Sequence, residues 1–226
     1  MGIYAPLSTP IRSREFALAS AATLTGDGQA LIRSVSGQVV FATNSAGSAG
    51  EQFVGFLSTQ TSAVSFLQTT AVKVERFTVP AGKTVTLSKT PNATTTFVWD
   101  VTAGAAVTPN SVTGAVVDLT TGGTIGNVVD VTFRYNVSVA EARSRNGDVT
   151  PGLYSGLTTG TVAVWQSGTI YTDMFASNKN WQAIGTQVFL AAGGLVDITG
   201  NVAIPASVIS IPTVDFPFLG LEFDAF

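Results

Sequence analysis

Val72-Lys73-Val74-Glu75-Arg76-Phe77-Thr78-Val79 alternates apolar and polar side chains, the period of a strand with one buried face. Pro80-Ala81-Gly82-Lys83 follows as a turn, and Thr84-Val85-Thr86-Leu87 alternates again. Residues 94–101, 115–119 and 128–139 read as further strands, with Thr121-Gly122-Gly123-Thr124 separating two of them. β runs at regular spacing, punctuated by Gly, Asn and Pro, predict a sandwich or barrel.

The same reading extends toward the N-terminus. Ala30-Leu31-Ile32-Arg33-Ser34-Val35 and Gln38-Val39-Val40-Phe41-Ala42-Thr43 flank a Ser36-Gly37 turn and predict a hairpin. Phe53-Val54-Gly55-Phe56-Leu57 follows a small-residue loop. Residues 1–27 read as an arm broken by Pro6 and Pro10, with charges at Arg12, Arg14 and Glu15, and Thr9-Pro10 is a possible start for a short helix. Two other places invite helix. Ser138-Val139-Ala140-Glu141 fits a capping box, and Asp173-Met174-Phe175-Ala176-Ser177 is long enough for one turn.

The expected fold class is all-β: small antiparallel β-sandwich or barrel modules with an extended N-terminal arm and minimal helix. The expected organisation is an arm at 1–27, a first β module at 28–70 packing with the C-terminal module, a central sandwich-like region at 71–150, and a C-terminal β module at 151–226.

Composition excludes several functions. The chain has no Cys and no His, so disulfides, thiolate nucleophiles, imidazole bases and the common zinc sites are unavailable. Charged residues make up 11% of the chain, well under the usual level of about 25%. Such a surface is expected to be covered by other subunits, as in a homo-oligomeric dimer or trimer. The 11 Lys and Arg are scattered and outnumbered by 14 acids, so no basic stripe for nucleic acid is present. No uncharged apolar run of about 18 residues suits a membrane helix, and Met1-Gly2-Ile3-Tyr4-Ala5-Pro6 lacks the basic start of a signal peptide. Synthesis in the cytoplasm is the expectation.

Residues that could carry chemistry have plainer readings. Asp118, Asp130, Asp148, Asp173, Asp197 and Asp215 are spread out and mostly beside turns, where Asp bonds nearby amides. Gly122-Gly123-Thr124-Ile125-Gly126 lies between β runs and reads as a turn, not a phosphate cradle. Asn146-Gly147-Asp148 supplies too few ligands for calcium. No catalytic residue, cofactor or metal is expected. Trp99, Trp165 and Trp181 either form a sugar platform or fill the core, and core is their usual place. The terminal Asp215-Phe216-Pro217-Phe218-Leu219-Gly220-Leu221-Glu222-Phe223-Asp224-Ala225-Phe226 holds four Phe in twelve residues. Residues 218–223 are expected to close a module as a strand, and Phe226 to reach a neighbour.

One stretch carries a family resemblance. A hairpin expected on Ser167-Gly168 leads past Trp181 to Ile184-Gly185-Thr186-Gln187-Val188-Phe189-Leu190, a Gly193-Gly194 turn, Leu195-Val196-Asp197-Ile198-Thr199, and the terminal Phe218-Leu219-Gly220-Leu221 strand. This resembles the small β modules of tailed-bacteriophage head decoration (cement) proteins over about residues 155–226, and loosely over 28–60. The resemblance implies a structural virion protein on the capsid exterior, binding the major capsid protein and itself. Arg12, Arg14, Phe216 and Phe226 are the candidate contacts. The alternative is a carbohydrate- or receptor-binding sandwich of a tail or surface appendage.

Overall fold

The computed structural model describes residues 3–4, 12–17, 28–33, 37–40, 52–58, 69–146 and 161–225. The described residues are all-β in class, with one short α-helix among them. It begins with β1 (Ile3–Tyr4), β2 (Arg12–Ala17), β3 (Ala30–Arg33), β4 (Val39–Val40) and β5 (Gln52–Ser58). The middle supplies β6 (Thr70–Thr78), β7 (Thr84–Thr86), β8 (Phe97–Asp100), β9 (Ala105–Val107), β10 (Ser111–Thr113), β11 (Val116–Asp118), β12 (Val128–Asn136) and α1 (Val139–Asn146). The C-terminal part adds β13 (Thr161–Thr172), β14 (Gln187–Ala191), β15 (Leu195–Asp197), β16 (Ala203–Ser210) and β17 (Leu219–Asp224).

The largest sheet is organised around β13. Residues 3–4 and 12–17 run antiparallel along one edge of it, Ile3 opposite Thr172 and Ala17 opposite Thr161. The other edge is shared end to end. β5 takes Ala163–Trp165, and β17 takes residues 167–172. Outward from β17 lie β16, β14 and β15, and outward from β5 lie β3 and β4. Just beyond β13, Phe175 bridges in parallel to Val196 of β15, so this sheet curls back on itself into a half-barrel. Ile170, Phe175, Trp181, Val188, Leu190, Val196, Leu221 and Phe223 fill its interior, and Phe56 packs edge-on against Phe223 at 4.9 Å.

Two expectations are corrected here. Ser167-Gly168 is not a hairpin turn: β13 passes straight through it, because both halves of the strand find partners and the irregularity is absorbed as a bulge between Trp165 and Ser167. The one-turn helix read over Asp173–Ser177 does not form either, whereas the 12–17 part of the expected extended arm is a strand of this sheet. The hairpin expected around Ser36-Gly37 does form in its described part, with Arg33 opposite Val39.

Between β5 and β13 the chain builds a separate sandwich. One sheet has the order β6-β12-β8-β9 and the other β10-β11-β7. The β6–β12 ladder is continuous from Val128/Thr78 to Asn136/Thr70. Val98, Val129, Val131 and Phe133 of the first sheet pack against Val85, Leu87, Val117 and Leu119 on the second side. Alternation produces this layer directly: Val129, Val131 and Phe133 are buried at every second position. The short strands β9 and β10 have three residues each, too few to show as a pattern. Of the Gly122–Gly126 segment, Gly123 N–H donates to Leu119 O and closes a turn, while Gly126 N–H donates to Val79 O and extends the β6–β12 pairing beyond Thr78.

The helix begins as its capping residue requires, with Ser138 Oγ accepting from the Glu141 amide at 3.2 Å. The Glu141 carboxylate serves another purpose. It accepts from the Tyr135 hydroxyl at 2.5 Å and pairs with Lys89 at 3.2 Å, tying the helix to the sandwich. Asp173–Ser177 makes no helical turn: Val196 N–H donates to Met174 O and Ala176 N–H to Val196 O, so the segment is extended.

Candidate functional site

Of the expected contact residues, Arg12, Arg14 and Phe216 lie on the face of the large sheet that looks away from the barrel core. Arg12 and Arg14 are exposed on β2. Arg14 and Arg33 both stand over the buried Phe16 ring, 5.5 and 5.8 Å from its centroid. Phe16 belongs to an apolar cluster with Leu31, Val54, Leu57, Val162 and Val164, on the face opposite Trp165 and Phe56. The sheet is therefore apolar on both faces at this end, which explains the nearly continuous hydrophobic runs of β3 and β5.

Phe216 sits farther along the same outward face. Its amide donates to Thr213 Oγ1 at 3.1 Å and its carbonyl accepts from the Thr213 amide at 2.9 Å. This reciprocal pair makes residues 213–216 a tight turn that presents the ring. The ring packs edge-on against Tyr171 at 5.3 Å and beside Phe218 at 5.0 Å, and stays 36% exposed. Tyr171 in turn covers Gly220, where an added Cβ would lie 2.7 Å from the tyrosine ring. Gly220 is thus the floor of a small aromatic cluster.

Arg12 and Phe216 share a face but not a site. Arg12 is opposite Ser167 and Phe216 stacks on Tyr171, four residues along β13 or roughly 13 Å. Phe226 lies outside the described residues. From Ser167 and Thr169 of β13 a shallow groove of about 610 Å³ crosses β17 and β16 toward β14, lined by Gln187, Ser207, Glu222 and Asp224 among others. It has no cation in its lining. Beyond residue 160 Lys179 is the single cation against five acids, so the C-terminal part of the molecule is negative overall.

Several of the described titratable groups are engaged in the fold. Asp118 accepts from Asn110 Nδ2 and from the Thr120 amide and hydroxyl, which hold its carboxyl below the usual value. Asp197 pairs with Lys179 at 3.6 Å and accepts from the Thr199 amide. Asp130 takes both arms of the Arg76 fork at 2.7 and 2.8 Å, which raises the Arg76 pKa, and Asp215 adds to the effect from across the gap. Asp148 lies outside the described residues. Among the described residues no three acidic groups gather as a metal site.

One cluster has the outline of a serine–lysine pair. Lys73 Nζ donates to Ser88 Oγ at 2.5 Å, and Ser88 in turn donates to Glu75. A lysine must be neutral to act as base. Lys73 is instead an ion-pair partner of the Glu75 carboxylate, 2.7 Å away, on a side chain that is 40% exposed. Burial raises the Glu75 carboxyl, but hydrogen bonds from Lys73 and Ser88 outweigh this and leave it lowered. The cluster fastens the loop after β7 to β6.

Trp165 and Trp181 are core residues, 5% and 3% exposed. Trp99 differs. It is half-buried on the outer face of the sandwich, in register with Asp130, which is itself in register with Arg76.

The sequence matches no protein-family model and no curated protein, and the fold matches no solved structure.

Arg134 is the residue that sequence reasoning passed over. It is 6% exposed and makes its bonds across the junction of sandwich and half-barrel. Burial lowers its pKa, against the opposing pull of the Asp173 carboxylate. The only signal in the sequence is a cation at a strand position between Phe133 and Tyr135.

Proposed function

We propose that the chain is a non-enzymatic structural protein of a virus particle, bound to the outer surface of a tailed-phage capsid through the major capsid protein and assembled there with copies of itself. The observation that supports this most is the outward face of the large sheet. It offers a rigidly presented aromatic cluster, a shallow groove lined by Ser167, Thr169, Ser207 and the acids Glu222 and Asp224, and a pair of exposed arginines. A broad, shallow face of this kind suits a protein surface better than a small substrate, which needs enclosure. Exposed Ile125, Ile184 and Val139 add apolar area on a molecule poor in charge.

Binding of the labelled protein to purified capsids, followed by quantitation of copies per particle, tests the reading. Hundreds of copies spread over the head are expected. A handful at the tail, or no particle binding, would overturn it. Phe216→Ser should lower occupancy without lowering the melting temperature by more than a few degrees, since the ring is only partly buried.

A second reading, saccharide binding by a tail or surface appendage, rests on Trp99 alone. Its ring lies beside the Arg76–Asp130 pair, a combination able to stack on a sugar and bond its hydroxyls. Retention on immobilised cell-surface polysaccharide that is lost in Trp99→Ala would favour this reading over the first.

A further inference from the structure

The junction between sandwich and half-barrel depends on one short extended segment. On one edge of residues 173–176, Met174 O accepts from Val196 N–H at 2.9 Å and Ala176 N–H donates to Val196 O at 2.8 Å. This is the bridge that curls the large sheet. The carbonyls of Asp173 and Phe175 point to the other edge, where a further strand would ordinarily bind. Arg134 occupies that place. Its Nη2 donates to both carbonyls, at 2.8 Å to Phe175 O, and its Nη1 donates to Thr70 Oγ1 at 3.1 Å. The two N–H groups of this one nitrogen serve two carbonyls spaced along one strand edge, which leaves Nη1 to reach Thr70. Ser177 Oγ adds a second tie, donating to Thr95 O at 2.6 Å.

These contacts link two bodies that otherwise have separate cores. The sandwich packs around Val131 and Phe133, the half-barrel around Phe175 and Leu190, and Val72 of β6 is the sandwich strand residue that joins the barrel's cluster. We propose that Arg134 is a latch: it holds the closing segment of the half-barrel from outside, so that closure of the barrel is conditional on the sandwich being docked. A partner or mechanical load that shifts the sandwich would thereby loosen the barrel, and a ligand that tightens the barrel would fix the sandwich's orientation.

The experiment is hydrogen exchange on the full chain carrying Arg134→Met, Arg134→Lys or Ser177→Ala. Methionine keeps much of the side-chain volume and removes every donor. If the latch exists, the Ala176 and Val196 amides exchange faster by about tenfold or more in Arg134→Met, through local opening. The amides of the β6–β12 and β13–β17 ladders should change far less. Ser177→Ala should produce the same local pattern at smaller amplitude. Arg134→Lys, which keeps the charge but has one donor nitrogen in place of two, should fall between. The proposal is overturned if exchange at Ala176 and Val196 stays at the wild-type rate, or if it rises only in step with the two ladders. Should Arg134→Met fail to fold, the lysine and Ser177→Ala proteins decide by the same comparison.

Discussion

Gly55→Ala tests the organisation of the large sheet at its most crowded point. Gly55 lies where β3, β5 and β13 meet, opposite Leu31, with a register shift between Leu31 and Ile32. Its φ is +137°, and a Cβ there would stand 2.1 Å from the Trp165 carbonyl oxygen and 2.7 Å from Val164 Cγ1. The first contact is with backbone, so no rotamer relieves it. Relief needs β5 to move away from β13, which strains the Phe56–Phe223 contact and the core behind it. A residue held in a glycine-only backbone region costs about 1–3 kcal/mol. Overpacking adds about 1–3 kcal/mol. The lower entropy of the unfolded alanine chain returns about 0.4–1 kcal/mol. The net loss is on the order of 2–5 kcal/mol, a large part of a typical 5–15 kcal/mol. For a chain of this length that corresponds to roughly 4–20 °C in melting temperature. Gly37→Ala is the control: φ is +82°, but nothing lies within 4 Å of its Cβ. It bears only the left-handed penalty of about 1–2 kcal/mol, partly offset by the same unfolded-state gain. Thermal and urea unfolding of the two variants should separate them clearly. Equal losses would refute the argument that the close approach of β5 to β13 is what requires Gly55.

Three further outcomes are expected. Leu221→Ala, at a fully buried position of β17, should cost about 2–5 kcal/mol in urea unfolding; a loss under 1 kcal/mol would mean that β17 does not close the core. Because the Glu75 carboxyl is lowered in the folded state, its contribution to stability is present above the unfolded value near 4.3 and is lost as pH falls through the lower folded value. Glu75→Gln should therefore flatten the acid limb of a melting-temperature profile below about pH 4.5, and an unchanged limb would remove Glu75 from the acid response. EDTA and dithiothreitol should leave the melting temperature where it was, since no Cys or His is available; a drop of many degrees in EDTA would reveal an oxygen-ligand metal site.

Much of the candidate surface was legible in part. Phe216 stood out because four Phe crowd the last twelve residues, and Arg12 and Arg14 because charge is scarce elsewhere. What they face could not be read. Tyr171 joins Phe216 only because Gly220 lets its ring lie flat on the sheet, and Arg14 meets Arg33 only through Phe16. Arg134 was passed over because its partners are main-chain carbonyls about forty residues away, and carbonyls carry no sequence signal.

The amino-acid order by itself determined the all-β class, the sandwich strands and the closing strand at Leu219–Asp224, because alternation and turn residues act over a few neighbours. It also determined which chemistries are absent, because no fold can supply a missing thiol or imidazole. Only the tertiary structure decided that Ser167-Gly168 is crossed by a continuous strand, that residues 12–17 line its edge, and that Asp173–Ser177 closes a half-barrel. A Gly-containing pair flanked by β runs is the same local pattern whether the chain reverses or continues. The choice rests on whether distant strands arrive to pair with both halves, and here β2, β5 and β17 do.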